Sequence, residues 1–426
     1  MNADEIYPWF LQSSGVCTDT RKIEKSNLFF ALKGANFNGN QYAEHAIEKG
    51  AIAAIVDEKN YENKEKNIFY VQDTLHSLQE LATYHRKNLN IPIIALTGSN
   101  GKTTTKELLA KCLEKKYDVS FTQGNLNNHI GVPLTLLSIH QNHEIAVIEM
   151  GANHTNEIAA LCEIARPDFG YITNFGKAHL EGFGGIEGVI QAKTELYSYL
   201  LENNKIAFVN ADDAIQTEKT KSIKNVSFGF NHLADYNFKR NSQEGMAAII
   251  YDNHQIASNL SGLYNENNLA AAVSIALYFD VGIHDIQDAI LHYFPKINRS
   301  QEIIRSGQKI LLDAYNANPS SMEAALHNFN ELDGSKTVIL GDMFELGELS
   351  AQEHHDIAKL ASTLNFERIY LIGKEFMQIK LVHPCLFQFP TKEVFMEFVD
   401  DEPISTDRIL IKGSRGMALE GLVEMI

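Results

Sequence analysis

Cysteine is scarce in this chain, long apolar runs are missing and basic side chains are outnumbered. The four cysteines, Cys17, Cys112, Cys162 and Cys385, are scattered with no C-x-x-C spacing, which excludes a compact disulfide framework and leaves the reduced thiols of a cytoplasmic protein. No stretch of 18 apolar residues occurs, and the opening Met-Asn-Ala-Asp-Glu is acidic, so neither membrane insertion nor a signal peptide is expected. With 37 Lys and Arg against 54 Asp and Glu, the formal charge is −17. That balance argues against nucleic acid, whose phosphates need a concentrated basic face, but it permits a small anionic substrate where a few cations converge. Repeats and low-complexity tracts are also missing.

What is present is the material of several globular cores: 426 residues, 44% hydrophobic and 21% charged, predict two or three domains. Residues 1–90 read as a small α/β unit, with strands near 26–32 and 51–56, a helix over 41–49 and another opened by Asp73-Thr74. Asn88-Leu89-Asn90-Ile91-Pro92 marks the first boundary. Strand and helix then alternate over 91–296, with strands at 93–97, 145–149, 168–174 and 205–209, which predicts a mostly parallel sheet covered by helices. Tyr293-Phe294-Pro295-Lys296-Ile297-Asn298 marks the second boundary. Residues 297–426 alternate again, with strands at 309–314, 337–341, 368–372 and 408–412, as in a second doubly wound unit.

The most informative stretch is Ile93-Ile94-Ala95-Leu96-Thr97-Gly98-Ser99-Asn100-Gly101-Lys102-Thr103-Thr104-Thr105. It reads as an apolar strand, a glycine-bracketed turn and a helix start. Such a turn points successive N–H groups at an anion, with Lys102 reaching the β- and γ-phosphates of a nucleotide and Thr103 offering a hydroxyl to Mg²⁺. The spacing is shorter than the usual P-loop, because Leu96 stands where the first glycine is expected. A chance Gly-Lys-Thr in a surface turn is the competing reading, and the flanking strand and helix disfavour it.

Other strand ends are polar too, and in an open parallel sheet ligands gather there. Glu149 ends an apolar strand, which suits a Mg²⁺ ligand or simply a surface carboxylate. His179 lies in the loop Gly176–Gly182, and Lys193 lies on a helix; taken alone, each is an ordinary side chain. Asp313-Ala314-Tyr315-Asn316-Ala317-Asn318 suits a base and ribose, while Ser320 and Glu323 have capping-box spacing for the next helix. Lys412-Gly413-Ser414-Arg415 offers cations for a carboxylate clamp.

Taken together, the loop at 97–105, Gly124-Asn125-Leu126-Asn127-Asn128 with Ile130–Thr135, Glu149-Met150-Gly151-Ala152, Thr173-Asn174 with Ala178-His179-Leu180-Glu181, and Tyr315–Pro319 resemble the Mur ligases. Thr18-Asp19-Thr20-Arg21 and Leu28–Gly34 resemble that family's UDP-sugar domain. Gly341–Glu348 and Lys412–Arg415 resemble its branch that joins D-Ala-D-Ala to UDP-MurNAc-tripeptide, whereas the Asp-Asn-Pro-Arg signature of the diaminopimelate-adding branch is absent.

The resemblance implies an α/β chain of three domains: a central P-loop-type parallel sheet flanked by a small N-terminal α/β domain and a C-terminal Rossmann-like domain. It implies an ATP-dependent amide ligase of peptidoglycan synthesis, cytoplasmic and monomeric, working through an acyl phosphate. Lys102, His179 and Lys193 are the implied catalytic residues. Gly98, Asn100, Gly101, Lys102, Thr103, Thr104, Asn265, Arg299, Asp313, Tyr315, Asn316 and Asn318 are implied for ATP. Thr20, Arg21, Leu32, Lys33, Gly34, Asn125, Asn127, Asn128, Lys412, Ser414 and Arg415 are implied for the other substrates. Thr103, Glu149, His179 and a carbamylated Lys193 are implied for a pair of Mg²⁺ ions.

The sequence departs from the family pattern at Thr194, Tyr264 and Asn298, where glycine, histidine and glycine are usual. An arrangement with the domains apart is expected without ligand. The rival readings are another Mur-type or folylpolyglutamate-type ligase and, from a different class, an inactive nucleotide-binding or partner-binding homologue.

Overall fold

The computed structural model describes the chain except Glu244 and residues 296–298. The expected second boundary, between 296 and 297, therefore lies outside the described residues. The first sheet is small and wholly parallel, in the order Val16–Cys17, Leu28–Phe30, Ala53–Val56, Ile68–Tyr70. Helix α1 (Thr74–Asn88) follows, capped by Asp73, whose carboxylate accepts the His76 N–H at 2.8 Å. Near its end, Arg86 donates to the carbonyls of Ala165 and Arg166 and pairs with Asp168 at 2.8 Å, which ties the first unit to the second.

The second sheet has nine strands, with β1 (Ile93–Thr97) third from one edge. Helix α2 (Lys102–Leu113) leaves β1; β2 (Ile145–Glu149) pairs on one side and β3 (Phe169–Ile172) on the other, all parallel. Every residue of β1 and β2 is buried, and the pleat divides them between two cores. Ile93, Ala95, Ala146 and Ile148 join the core that α3 (Ile186–Glu202) covers. Ile94, Leu96, Ile145 and Val147 join the core where α2 packs on α4 (Asn265–Tyr278). Val119–Phe121 extends the sheet beyond β2 on one side of β1 and β3 lies on the other, so the strand order reverses at β1 and a crevice opens at its carboxyl end.

Alternation of strand and helix does not persist to the end of this unit. Tyr236–Arg240, Met246–Tyr251 and His254–Ser261 form an antiparallel meander at the sheet's edge.

The third sheet has six strands. Its order is Gln301–Arg305, β4 (Gln308–Asp313), Arg408–Lys412, Lys336–Gly341, Arg368–Ile372, Leu386–Phe389; helix α5 (Pro319–Asn330) follows β4, β5 (Lys336–Gly341) comes next in sequence, and β6 (Arg408–Lys412) is inserted between β4 and β5. Gln301–Arg305 is antiparallel and the remaining strands are parallel. Among the described residues, no helix is long and apolar enough to cross a membrane.

Candidate active site

The turn after β1 is built by close packing. Gly98 and Gly101 have φ of 139° and 79°, and a Cβ on them would come within 2.0 Å of Thr173 Oγ1 and 2.5 Å of Asn268 Oδ1, so both positions require glycine. The residues just past β3 set the loop's shape. Thr173 donates its hydroxyl to the Asn100 carbonyl at 2.5 Å, while Asn174 accepts the Asn100 N–H through Oδ1 at 3.1 Å and the Ser99 N–H through its carbonyl at 3.0 Å.

No side chain caps α2, which leaves its first N–H groups directed at the crevice. Lys102 folds back to donate to the carbonyls of Gly98 at 2.6 Å and Ser99 at 3.1 Å. Burial holds its ammonium below the usual lysine range, with Glu149 opposing that shift.

Glu149, at the end of β2, is buried beside this loop. Its Oε1 accepts from Thr103 Oγ1 at 3.2 Å and Asn127 Nδ2 at 2.8 Å. Its Oε2 accepts no hydrogen bond among the described residues. A buried carboxylate with one oxygen against a hydroxyl and the other short of hydrogen-bond donors, beside an anion cradle, offers oxygen donors that fit a hard cation such as Mg²⁺.

Lys193, on α3, is also buried; its Nζ donates to the Ala152 carbonyl at 3.3 Å and lies 5.1 Å from the Phe183 ring centre. Burial pushes its amine down to about 7, and nearby Lys102 adds to the effect. His179 packs edge-on to the same Phe183 ring, with centroids 6.4 Å apart. Its Nδ1 is engaged by Glu345 of the third unit, and that contact holds the Glu345 carboxyl below its usual range. Among the described residues no three His, Cys, Asp or Glu side chains cluster as a metal site, so His179 and Glu149 do not form one by themselves.

The second and third units meet over the loop. Asn318 Nδ2 donates to Asn100 Oδ1 at 2.8 Å, the Lys177 N–H donates to Ser320 Oγ at 2.9 Å, and Lys177 Nζ pairs with Glu353 at 2.6 Å. The expected separation of these units is thus corrected to direct contact. Capping is corrected as well: Pro319 occupies the first helical position of α5, so Asn318 is the cap and Ser321 its partner, which frees Ser320 for Lys177.

Between the units lies a cavity of about 870 Å³, large enough for a nucleotide with a second substrate group. It brings together Asn100, Gly101, Lys102, Thr103, Thr104, Glu149, His179, Asn265, Arg299, Asp313, Tyr315, Asn316 and Asn318, with Asn125, Asn127, Asn128 and Lys412. Arg299 stacks on the Tyr315 ring at 3.5 Å, and the Tyr264 hydroxyl bonds Ser300 Oγ at 2.7 Å.

Other expected residues have different duties. Gly98 lies behind the loop. Asn128 accepts the N–H groups of Ile130 and Gly131, opening the following helix. The carboxylate clamp expected of Lys412, Ser414 and Arg415 is not assembled: pairing of β4 with β6 sets Asp313 opposite Lys412, and the two side chains bond each other. Ser414 accepts the Phe344 N–H, and Arg415 pairs with Glu420.

Thr20, Arg21, Leu32, Lys33 and Gly34 lie on the first unit and do not line this cavity. There Arg21 pairs with Asp19 and is exposed, while Lys33 pairs with Asp57 at 3.0 Å.

Asn268 is a site residue that the sequence reading missed. Its Oδ1 accepts from Thr105 Oγ1 at 3.2 Å and its Nδ2 donates to Asn265 at 2.8 Å, so it links α2 to α4 beneath the loop. The spacing Asn265-x-x-Asn268, which puts both amides on one helix face, was the available signal.

Comparison with known proteins covers nearly the whole chain. Residues 12–86 match the model "Mur ligase family, catalytic domain", 96–276 match "Mur ligase middle domain", and 298–415 match "Mur ligase, glutamate ligase domain". The chain is 35% identical to the UDP-N-acetylmuramoyl-tripeptide–D-alanyl-D-alanine ligase of Bacillus subtilis, over 96% of this chain and 92% of the relative. It is 33% identical to the Escherichia coli ligase of the same name, over 96% and 93%. A crystal structure of MurF from Acinetobacter baumannii superposes with a TM-score of 0.89 at 31% identity, covering 99% of this chain and 98% of that one. MurF from Thermotoga maritima in complex with ADP superposes at 0.84 with 28% identity, over 98% and 97%.

Proposed function

The chain belongs to the Mur ligase family, and from that premise we propose that it joins D-Ala-D-Ala to UDP-MurNAc-tripeptide with ATP, a cytoplasmic step of peptidoglycan synthesis. The observation that carries the reading is the composite cavity: an anion cradle, a buried carboxylate and a nucleotide-sized space closed by two units of one chain. That completeness within one chain is what supports a monomer. Residues 1–90 hold the UDP-sugar, 91–296 hold the phosphates and 297–426 close over the nucleotide.

A carboxylate is a poor acyl donor because its leaving group is oxide. Transfer of the γ-phosphoryl group of ATP to the terminal carboxylate of the tripeptide forms an acyl phosphate and ADP. The amine of D-Ala-D-Ala then attacks the acyl carbon, loses a proton, and the tetrahedral adduct expels phosphate to leave the amide. The protein's contribution is positioning and charge neutralisation.

Lys102 leaves the loop carbonyls for the β- and γ-phosphates, and the N–H groups opening α2 point at the same oxygens. Thr103 and Glu149 would hold Mg²⁺, which supplies charge neutralisation across the phosphates. A carbamate on Lys193 would add the oxygen ligand for a second ion that His179 and Glu149 lack between them; an amine held near 7 is the form that takes up CO₂. Arg299 stacked on Tyr315 forms a flat cationic surface for the base, with Asn316 and Asn318 beside it. Asn100 and Asn318 close the loop against bulk water.

Phosphate release from ATP, measured with the UDP-tripeptide and D-Ala-D-Ala supplied singly and together, tests the reading. Release only when both are present is expected. Release with neither would indicate a nucleotide switch, and release with a single amino acid in place of the dipeptide would indicate a different ligase.

A further inference from the structure

One face of α2 carries a second lysine that the reaction above leaves without a role. Lys106 lies one turn beyond Thr103, and its side chain is wholly buried. Its Nζ is 3.5 Å from Glu149 Oε2 and 6.0 Å from the Phe121 ring centre, and it makes no hydrogen bond among the described residues. The two oxygens of Glu149 are therefore divided between successive turns of one helix: Thr103 Oγ1 meets Oε1 at 3.2 Å, and Lys106 faces Oε2.

Packing alone does not call for a cation here. Leu109 and Leu113 continue the same face of α2 into an apolar core, where a methionine would fill the space. A buried ammonium is costly unless an anion answers it, and the same holds for a buried carboxylate.

We propose that Lys106 is a positioning residue for the metal-binding end of the phosphate site: a fixed internal counter-charge that holds Glu149 in place without metal and competes with Mg²⁺ for it. The inference rests on the nucleotide reading above. A divalent ion held by Glu149 and Thr103 sits in the field of this ammonium, so its affinity is lower than a lone buried carboxylate would give. Without metal, the ammonium supplies the charge that Glu149 otherwise lacks. Glu149 thus has a cationic neighbour whether or not metal is bound.

The test compares the unsubstituted protein with Lys106→Met and Lys106→Arg in Mg²⁺ titrations of ADP binding, read by calorimetry. Thermal melts in chelator, with Lys106→Met/Glu149→Gln added, complete it. Lys106→Met is expected to reach half-maximal ADP binding at an Mg²⁺ concentration at least about threefold lower. Lys106→Arg, which keeps the charge, is expected to stay near the unsubstituted value. In chelator Lys106→Met should melt lower than the unsubstituted protein, and the double variant should recover most of the loss because the uncompensated carboxylate is gone.

Equal Mg²⁺ midpoints for Lys106→Met and the unsubstituted protein would overturn the inference alone. So would a double variant that melts no higher than Lys106→Met. If Lys106→Met does not fold, folding of the double variant supports the counter-charge and its failure contradicts it. Absence of Mg²⁺-dependent ADP binding in the unsubstituted protein would overturn the nucleotide reading and this inference with it.

Discussion

Lys102, which lines the crevice, and Lys193, buried behind its wall, show how differently one residue type is used around a single site. Lys102 is held by two loop carbonyls that a phosphate can replace, so its charge is available to the ligand. Lys102→Ala should lower turnover by at least about a thousandfold, since it removes a cation from the transferring phosphoryl group. UDP-tripeptide binding, measured by calorimetry, should persist because the residues assigned to it lie on the first unit. Loss of that binding in a folded variant would contradict the division of labour.

Lys193 has almost no such exchangeable partner and is instead pushed toward its neutral form. With an amine near 7 rather than 10.5, about half is unprotonated at neutral pH and open to CO₂. Labelling with ¹³C-bicarbonate should give a carbamate signal that Lys193→Ala lacks, and turnover of that variant should fall about 10- to 100-fold or more. The stability sign follows from the same shift. In CO₂-free buffer the unfolded chain binds the extra proton between about pH 7 and 10.5, so stability should rise with pH across that window and be flat below it. Lys193→Met should remove that rise in melting experiments.

At the scale of elements, the docking of α1 on the second unit turns on another buried titratable group. His85 accepts from the Tyr7 hydroxyl at 3.2 Å through Nδ1 and donates to the Ile139 carbonyl at 2.9 Å through Nε2. Burial lowers its pKa below 6.5. The unfolded chain therefore binds more protons as pH drops through about 6.5, and stability is lost in that direction. His85→Gln should show a smaller fall in melting temperature between about pH 7 and pH 5 than the unsubstituted protein, and an equal fall would show that His85 is not the group responsible.

The elements legible in the sequence were those with an unbroken apolar run. Ile93–Thr97, Ile145–Glu149 and Arg408–Lys412 are covered on both faces, so hydrophobicity alone marks them. His254–Ser261 buries every second residue and Gln301–Arg305 buries none fully, so their polar positions read as loop and the antiparallel edges were missed. The cap of α5 was placed two residues late because Ser320 and Glu323 carry capping-box spacing, which Pro319 at the first helical position overrides. Lys106 and Asn268 escaped for a different reason: their roles depend on β2 and α4 reaching α2 from 40 to 160 residues away in sequence, distances the contacts Lys106–Glu149 and Thr105–Asn268 span at 43 and 163 residues.

For the whole molecule, the question is what keeps the third unit on the second. The polar contacts include Asn100 with Asn318, Lys177 with Ser320 and Glu353, His179 and Glu181 with Glu345, and Leu263 with Asn328, and one apolar cluster holds Leu180 and Phe183 of the second unit with Met343 and Leu346 of the third. Exposed ion pairs contribute about 0–1 kcal/mol each, so closure by the polar contacts alone is shallow and bound ligand deepens it. Lys177→Ala with Glu345→Ala should enlarge the ligand-free radius of gyration in solution scattering, and raise the ATP concentration needed for half-maximal rate by up to about tenfold. An unchanged radius would place the closing force elsewhere.

The cavity, the loop and the two lysines all serve one claim, that the γ-phosphate is delivered to a peptide carboxylate. Turnover with the tripeptide's terminal carboxylate enriched in ¹⁸O reads that claim directly. If an acyl phosphate forms, the released phosphate carries one oxygen from the carboxylate and the amide keeps the other. Phosphate without ¹⁸O, alongside normal amide formation, would contradict it.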